Sequence, residues 1–322
     1  LQAPQPRRVL QRFRRQANER REAALEGRGR EAERGRELGE WPRFIGAGDE
    51  VAGQGDQRGI VAGMAGGGAV GHGGILAVPG WARTPFLAAM SDRVLGLIGG
   101  ISWESTAHYY RALNEGVREA RGAPHAADLR LHSFDFATIS ALQHAGRWDQ
   151  LAVRMADAAR GLAAAGAGAV MICANTMHKL VEAVEAGGGL PVLHIATPTA
   201  AAARAAGCRR LLFLGTAFAM EQPFLLDRLR AEGLEVFVPD AGDRAEVHRV
   251  IFEELVAGRV LGASREALRG VIARGVAAGA EGVILGCTEL MMIVRDEDSA
   301  VPLFDTMALH AAAGVAWLLG EA

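Results

Sequence analysis

Two stretches of similar sequence, each containing a cysteine, decide the fold of this chain. The first reads Ala165-Gly-Ala-Gly-Ala-Val-Met-Ile-Cys-Ala-Asn-Thr176, and the second reads Ala278-Gly-Ala-Glu-Gly-Val-Ile-Leu-Gly-Cys-Thr-Glu289. In each, an Ala-Gly-Ala lead is followed by a short apolar run that ends in polar residues. This pattern is typical of a buried parallel strand that delivers side chains to a cleft. Two copies predict two similar lobes.

A second pair of similar segments supports the internal repeat. Residues 93–99 read Arg-Val-Leu-Gly-Leu-Ile-Gly, and residues 209–215 read Arg-Arg-Leu-Leu-Phe-Leu-Gly. Apolar runs alternate with helical segments after each copy, which predicts an α/β fold of two pseudo-symmetric lobes with parallel sheets. We place the first lobe at residues 91–198, with residues 304–322 returning to it, and the second at residues 199–303.

The individual elements follow from the same alternation of apolar runs and helical patterns. Strands are predicted at residues 94–98, 129–134, 170–173, 192–195, 211–214, 235–238 and 282–285. Helices are predicted at about residues 103–118, 148–165, 176–185, 196–206, 221–232, 245–257 and 264–278, with Ser102 as the first N-cap. Ligands bind beyond the carboxyl ends of such strands, so the two sheet edges should face each other.

Residues 1–90 differ in composition from the rest of the chain. Residues 1–40 are rich in Arg and Glu, and residues 46–74 are rich in Gly without a period. Such composition buries too little apolar area to offset chain entropy, so we expect a disordered extension. Met90 stands just before the first strand, which suggests a natural start there. The alternative, a basic arm for nucleic acid, is less favoured because Arg and Glu are mixed.

The composition narrows the class of protein. A net charge of -2 over 322 residues gives no attraction to nucleic acid or to acidic membranes, and no apolar run is long enough for a transmembrane helix. The three cysteines, Cys173, Cys208 and Cys287, show no zinc-site spacing and fit neither a disulfide framework nor a structural metal. We therefore expect a cytoplasmic protein with free thiols.

Cys287 is the strongest candidate for chemistry. It follows a predicted strand and precedes Thr288 and Glu289, where a helix N-terminus could stabilise a thiolate. The alternative is a buried structural cysteine, the commonest fate of a free thiol. Two thiols facing one cleft would reach a carbon from opposite sides, as needed to remove a proton and return it on the other face. Asn175 and Thr176 could bind a carboxylate or simply cap the next helix.

These residues carry a resemblance to a known family. The sequence resembles the aspartate/glutamate racemase family, in particular its bacterial amino-acid racemases, over about residues 93–320. The matching stretches, in the order of the family, are residues 99–106, 131–136, 175–179, 220–222, 286–289 and 304–306. Residues 1–90 have no counterpart in it.

The resemblance implies a fold, a reaction and a set of site residues. It implies two flavodoxin-like lobes, usually in a homodimer, and a 1,1-proton transfer on a small acidic amino acid by two cysteines. It implies that neither pyridoxal phosphate nor a metal is needed. Cys287 would be one acid/base; the substrate carboxylate would be held by Asn175, Thr176 and Thr288, and Ile101 and Gln143 would line the pocket. Arg244 and Lys179 are the candidates for a distal carboxylate.

One departure from the family pattern concerns the second thiol. The family places Cys directly before Asn-Thr, whereas this chain has Ala174 there and Cys173 one residue earlier. The internal repeat also aligns Ala174 with Cys287. A one-residue slip turns a strand side chain to the other face. Cys173, or a group near Ala174, would have to act opposite Cys287.

We predict a cofactor-independent amino-acid racemase of the aspartate/glutamate type. Two alternatives remain open at this stage. The first is a single-cysteine decarboxylase of malonate-type acids, which agrees with Ala174 at the position of the first thiol. The second is a non-catalytic carboxylate-binding protein that has lost one of the two bases.

Overall fold

Two parallel β-sheets, one after the other along the chain, form the centre of the structure. The computed structural model describes residues 93–321, so the extension predicted for residues 1–90 lies outside the described residues. The described residues belong to one compact unit. The two-lobed α/β fold predicted from the repeat is confirmed.

The first sheet has three parallel strands in the order β2-β1-β3. Its strands are β1 (Leu95–Gly99), β2 (Leu129–Ser133) and β3 (Ala169–Ile172). The second sheet has four parallel strands in the order β5-β4-β6-β7. Its strands are β4 (Arg210–Leu214), β5 (Glu235–Phe237), β6 (Gly282–Leu285) and β7 (Leu303–Asp305). β1 and β3 are buried along their whole length, which explains their continuous apolar sequences.

The strand register shows that the repeat is structural. Leu95 pairs with Ala169 in the first sheet, and Leu211 pairs with Gly282 in the second. The last backbone hydrogen bond between the two strands also matches in the two sheets. The Cys173 amide donates to Ile98 O at 2.9 Å, and the Gly286 amide donates to Leu214 O at 2.6 Å. Cys173 therefore corresponds to Gly286, and Ala174 corresponds to Cys287.

Ten α-helices connect the strands in the described residues. They are α1 (Trp103–Arg121), α2 (Phe136–His144), α3 (Trp148–Ala164), α4 (Val181–Gly188), α5 (Ala196–Ala205), α6 (Ala217–Glu221), α7 (Pro223–Ala231), α8 (Ala241–Arg249), α9 (Gly262–Ala277) and α10 (Thr306–Leu319). Short 3₁₀ turns occupy Thr176–Leu180, Leu290–Met292 and Asp296–Asp298, and a π-helical turn occupies Val250–Leu255. No helix among the described residues is long and apolar enough to cross a bilayer.

Several predicted boundaries were wrong for identifiable reasons. The strand expected at residues 192–195 is a single bridge between Val170 and Val192. The helix expected at 221–232 begins at Pro223, which suits a first helical position because it needs no N–H. Three helices, α2, α6 and α10, and the strand β7 were not predicted. The sequence placed the whole segment 304–322 with the first lobe. Phe304 and Asp305 instead pair in the second sheet. Of this segment, it is α10 that packs on α1 of the first lobe.

The turn after β1 depends on one glycine and one cap. Gly100 has a φ of +72°, and a Cβ at this position would overlap the backbone of Phe134. Ser102 then caps α1 by accepting a hydrogen bond from the Ser105 amide at 3.3 Å, which confirms the predicted N-cap. The turn places the first residues of α1 at the carboxyl edge of the first sheet.

A buried histidine fastens α10 to the first lobe. The Tyr109 hydroxyl on α1 donates to His310 Nδ1 at 2.9 Å, and His310 Nε2 donates to the carbonyl oxygen of Leu193. A neutral imidazole has one donor and one acceptor nitrogen, so these two partners satisfy the uncharged ring fully. Burial accordingly lowers the pKa of His310 to about 3.

His178 holds the turn that follows β3 in a similar way. Its Nδ1 donates to Ala174 O at 2.8 Å, and its Nε2 accepts from the Ile195 amide at 3.2 Å. Its ring lies 4.6 Å from that of His194. Burial lowers the pKa of His194 to about 4 and that of His178 well below its usual value. The turn after Ala174 is therefore held by the neutral ring of His178.

These buried, neutral histidines make the free energy of unfolding depend on pH. An unfolded histidine binds a proton below about pH 6.5, whereas folded His310 does not until about pH 3. The free energy of unfolding should thus be highest above pH 6.5 and fall as the pH drops towards 4, by up to about 1.4 kcal/mol per pH unit for each such histidine. In urea unfolding between pH 7 and 4.5, His310→Gln should show a shallower decline than wild type. An unchanged slope would contradict this assignment.

Candidate active site

Hydrogen bonds between the lobes bring the carboxyl edges of the two sheets together. Asn175 Nδ2 donates to Thr306 Oγ1 at 3.0 Å, the hydroxyls of Thr176 and Thr216 lie 3.1 Å apart, and Lys179 Nζ donates to Gln222 Oε1 at 2.7 Å. Each pair joins the turn after β3 to the second lobe: Thr216 and Thr306 follow strands of the second sheet, and Gln222 follows α6. The prediction that the two edges face each other is therefore confirmed.

Cys287 lies at this junction, two residues beyond β6. Its Sγ donates to Glu289 Oε2 at 2.9 Å, and the backbone N–H groups of Thr288 and Glu289 donate to the same sulfur. Cys287 is buried, with only 8% of its surface exposed. The thiol thus has both a proton acceptor and anion-stabilising donors in contact with it.

Glu289 is the centre of a small polar cluster. Besides Cys287, the Thr288 hydroxyl donates to Glu289 Oε2 at 2.9 Å, and Ser105 Oγ lies 3.3 Å from Oε1. Ser105 also donates to Thr288 Oγ1. Because Ser105 belongs to α1 and Glu289 follows β6, these contacts join the two lobes. The carboxylate is buried, and its Oε2 accepts from both the Cys287 thiol and the Thr288 hydroxyl, which lowers the cost of burying it.

The pKa of Cys287 is raised well above its usual value. Burial is the first cause, because it disfavours the thiolate, and the negative charge of Glu289 is the second. The N–H groups of Thr288 and Glu289 act in the opposite direction. The resting side chain is therefore a thiol, and ionisation requires that Glu289 accept the proton or that its charge be offset.

Cys173 is placed differently from Cys287. It is fully buried in an apolar cluster with Leu95, Tyr109, Met171 and Met307. Burial raises the pKa of its thiol, which keeps the sulfur protonated. At the corresponding position in the second lobe, a Cβ on Gly286 would overlap the ring of Phe213. In both lobes this position faces packed side chains.

Ala174 lies on the opposite face of the strand from Cys173. It packs with Ile101 and Met177 in a separate apolar cluster, alongside Ile172. Gln143 is buried next to them and donates from Nε2 to Met177 Sδ at 3.2 Å. Ile101 and Ala174 therefore lie in one buried apolar cluster with Gln143 beside it, and Cys173 lies in the other cluster.

Sequence reasoning gave no role to several residues of this junction. Ser105, Glu289 and Thr306 all contact residues that it did select. All three belong to stretches that carried the resemblance, so the signal was present, but spacing alone could not show which side chains meet across the lobes. Glu289 was treated only as a polar neighbour of Cys287.

The two candidates for a distal carboxylate have partners of their own. Lys179 Nζ lies 4.0 Å from the centre of the Trp148 ring, besides its bond to Gln222. Arg244 donates to Glu221 at 3.3 Å and to Pro239 O at 2.9 Å. Lys179 lies at the lobe junction, whereas Arg244 lies on α8. Among residues 93–321, no group of three His, Cys, Asp or Glu side chains is arranged to hold a metal.

The fold and the junction define a two-lobed α/β protein with a thiol at the facing sheet edges, and comparison with known proteins identifies its family. The sequence model of the Asp/Glu/hydantoin racemase family matches residues 98–314. The chain belongs to this family, which places it among the racemases, a class of isomerases.

Solved structures agree with this assignment. The protein named "putative Asp/Glu Racemase from Yersinia pestis" is 45% identical, with a TM-score of 0.67, over 70% of this chain and 99% of that one. An aspartate racemase homologue from Pyrococcus horikoshii OT3 is 32% identical, with a TM-score of 0.62, over 71% of this chain and 100% of that one. Picrophilus torridus aspartate racemase, at 18% identity and a TM-score of 0.57 over 71% and 94%, shares the fold.

The contact between Cys287 and Glu289 predicts a measurable pKa change. Glu289→Gln removes the negative charge that disfavours the thiolate, so the pKa of Cys287 should fall. The pH dependence of iodoacetamide labelling, read by mass spectrometry of the Cys287 peptide, should shift to lower pH. Cys208 serves as an internal control, because burial and the Glu281 carboxylate raise its pKa and Glu289 does not contribute. A Cys287 profile that does not move, or moves to higher pH, would contradict the assignment.

Proposed function

We propose that this protein racemises aspartate, glutamate or a related amino acid without a cofactor, and that Cys287 is its acid/base. The observation that carries the proposal is the Cys287 thiol at the lobe junction, hydrogen-bonded to a buried carboxylate. A thiol needs help to remove a proton from carbon, and a neighbouring base supplies it. The membership in a racemase family supports the same reaction.

In the proposed first step, Glu289 accepts the Cys287 proton and the thiolate removes the α-proton of the substrate. The S–H bond breaks as the O–H bond of Glu289 forms, and then the C–H bond breaks as a new S–H bond forms. The N–H groups of Thr288 and Glu289 stabilise the thiolate in between. Electrons from the C–H bond pass into the α-carboxylate, where preorganised donors at the strand ends stabilise the developing charge.

The opposite face of the substrate carries no thiol in this proposal. Ala174 occupies the position that corresponds to Cys287, and Cys173 points into the apolar cluster around Leu95. A fully buried thiol with no polar partner for its proton is a poor base. We propose that a water molecule donates the proton on the side of Ala174, where a methyl group leaves room, and that the hydroxide left behind takes up the proton held by Glu289, which restores the starting thiol and carboxylate.

Replacing Cys287 tests the central assignment. Cys287→Ala should lower solvent-deuterium exchange at the α-carbon by about 100- to 10,000-fold, the usual contribution of a positioned acid/base. Proton NMR in D₂O measures the exchange on each member of a panel of single-enantiomer amino acids. Cys208→Ala is the matched control, because Cys208 hydrogen-bonds Glu281 O, away from the junction. Exchange that persists at the wild-type rate in Cys287→Ala would remove the assignment.

Variants at two adjacent positions, 173 and 174, distinguish a site with one catalytic thiol from a site with two. Ala174→Cys adds a thiol on the face opposite Cys287 and should raise the rate of racemisation by ~10-fold or more. Cys173→Ala should keep the racemisation rate of folded protein in both directions, while it lowers stability by about 1–2 kcal/mol because a buried sulfur is lost. Polarimetry from each enantiomer measures the rates. Loss of racemisation in Cys173→Ala would instead make Cys173 the second base.

One observation favours a second candidate function on the same fold. A single thiol opposite Ala174 is sufficient to protonate one face of a carbanion, as a decarboxylase of malonate-type acids requires. Release of carbon dioxide from a disubstituted malonate, without α-proton exchange on amino acids, would favour this reaction over racemisation. The homodimer and the cytoplasmic location remain predictions from the sequence.

A further inference from the structure

We propose that the exposed face of α1 and the free edge of β2 bind a second copy of this chain in a two-fold symmetric dimer. The two α1 helices lie antiparallel in this dimer, with the aromatic side chains of each copy against the arginines of the other. The family resemblance implied a homodimer only in general terms. The surface, the symmetry and the register follow from the exposed residues of this chain and do not depend on the reaction proposed above.

Three large apolar side chains are exposed side by side on this surface. Trp103 is 68% exposed, Tyr110 is 55% exposed and Leu131 is 49% exposed. All three line one groove of about 680 Å³, which α1 and β2 form together. Exposed apolar side chains that are scattered singly are normal in a soluble protein, whereas a group that shares one groove indicates a surface that binds a partner.

β2 has an unpaired edge beside this groove. It pairs with β1 on one side, and its other side has no strand partner among residues 93–321. Leu131 and Ser133, which alternate along β2, both face the groove. An unpaired edge strand carries backbone N–H and C=O groups that another strand can bind, and soluble proteins usually protect such an edge. A two-fold axis beside β2 would place it antiparallel to its counterpart, so that the two three-stranded sheets become continuous.

The order of the side chains along α1 selects a second copy as the partner. Two aromatic residues, Trp103 and Tyr110, line the groove with two arginines, Arg111 and Arg118. Each pair is spaced by seven residues, which is almost two helical turns, so all four side chains lie on one face. One antiparallel register places Trp103 against Arg118 of the second copy. The same register then places Tyr110 against Arg111, because the two spacings are equal.

The residues that face each other in this register are chemically complementary. Arginine stacks on the faces of aromatic rings, and Trp is the best of these partners. The chain makes such a contact internally, since the guanidinium of Arg93 lies 5.2 Å from the centre of the Trp317 ring. Glu115 lies 3.9 Å from Arg118, so the surface carries both signs of charge and does not repel its own copy. A second copy supplies every facing residue by symmetry.

Sedimentation velocity of the full chain over a dilution series tests the surface. Wild type should form a dimer at micromolar concentration. Trp103→Ser/Tyr110→Ser removes exposed rings only, so the protein should fold, and the dissociation constant should rise by about 100-fold or more, as for residues at the centre of an interface. Val153→Ser is the matched control, because Val153 is 61% exposed but lies on α3 and should leave the constant unchanged. A monomeric wild type, or a double variant that dimerises like wild type, would overturn the proposal.

Disulfide trapping tests the antiparallel register. In this register Ala107 faces Asn114 of the second copy, because each lies one helical turn inside the contact between Trp103 and Arg118. Ala107→Cys and Asn114→Cys proteins, mixed and allowed to exchange subunits, should form covalent dimers on oxidation, whereas either variant alone should form far fewer. The three native cysteines are buried and give little background. Covalent dimers no more abundant in the mixture than in the separate variants would overturn the antiparallel pairing.

Discussion

The alternation of side chains along β3 is the constraint on which the rest of this site depends. Residues 169, 171 and 173 face the cluster under α1 and α10, and residues 170, 172 and 174 face the cluster under α3. Strand geometry leaves no intermediate position, so a cysteine moved by one residue is moved to the other side of the sheet. Cys173 therefore packs as a small apolar residue, and a methyl group stands where the second lobe has its thiol.

The second lobe combines opposing electrostatic effects at one sulfur. The N–H groups of Thr288 and Glu289 favour a thiolate, whereas burial and the Glu289 carboxylate disfavour it. A site built only for stability would avoid a buried carboxylate next to a thiol. Here Ser105 of the first lobe donates to Thr288, which in turn donates to Glu289, so the burial of this carboxylate also depends on the two sheet edges remaining together. The same contacts that close the junction thus place the proton acceptor of Cys287.

The sequence was sufficient to predict the fold and the position of Cys287 just beyond a buried strand, and insufficient for the contacts between lobes. The repeat located both sheets, because buried parallel strands have continuous apolar sequences and glycine turns, and it correctly aligned Ala174 with Cys287. It did not show Ser105 near Glu289 or Asn175 near Thr306, because these pairs are separated by 184 and 131 residues and no local period relates them. The strand expected at residues 192–195 failed because its apolar run pairs at Val192 alone.

The most direct test of a single-thiol site compares the rate of deuterium incorporation with the rate of inversion in the wild-type protein. Each enantiomer of a turned-over amino acid is incubated separately in D₂O, and the initial rates of α-deuteration and of inversion are measured together. With one thiol, the enantiomer whose α-proton faces Cys287 should gain deuterium with unchanged configuration faster than it inverts, because the same sulfur returns the label after exchange with solvent. Deuteration that never exceeds inversion from either enantiomer would contradict a single-thiol site.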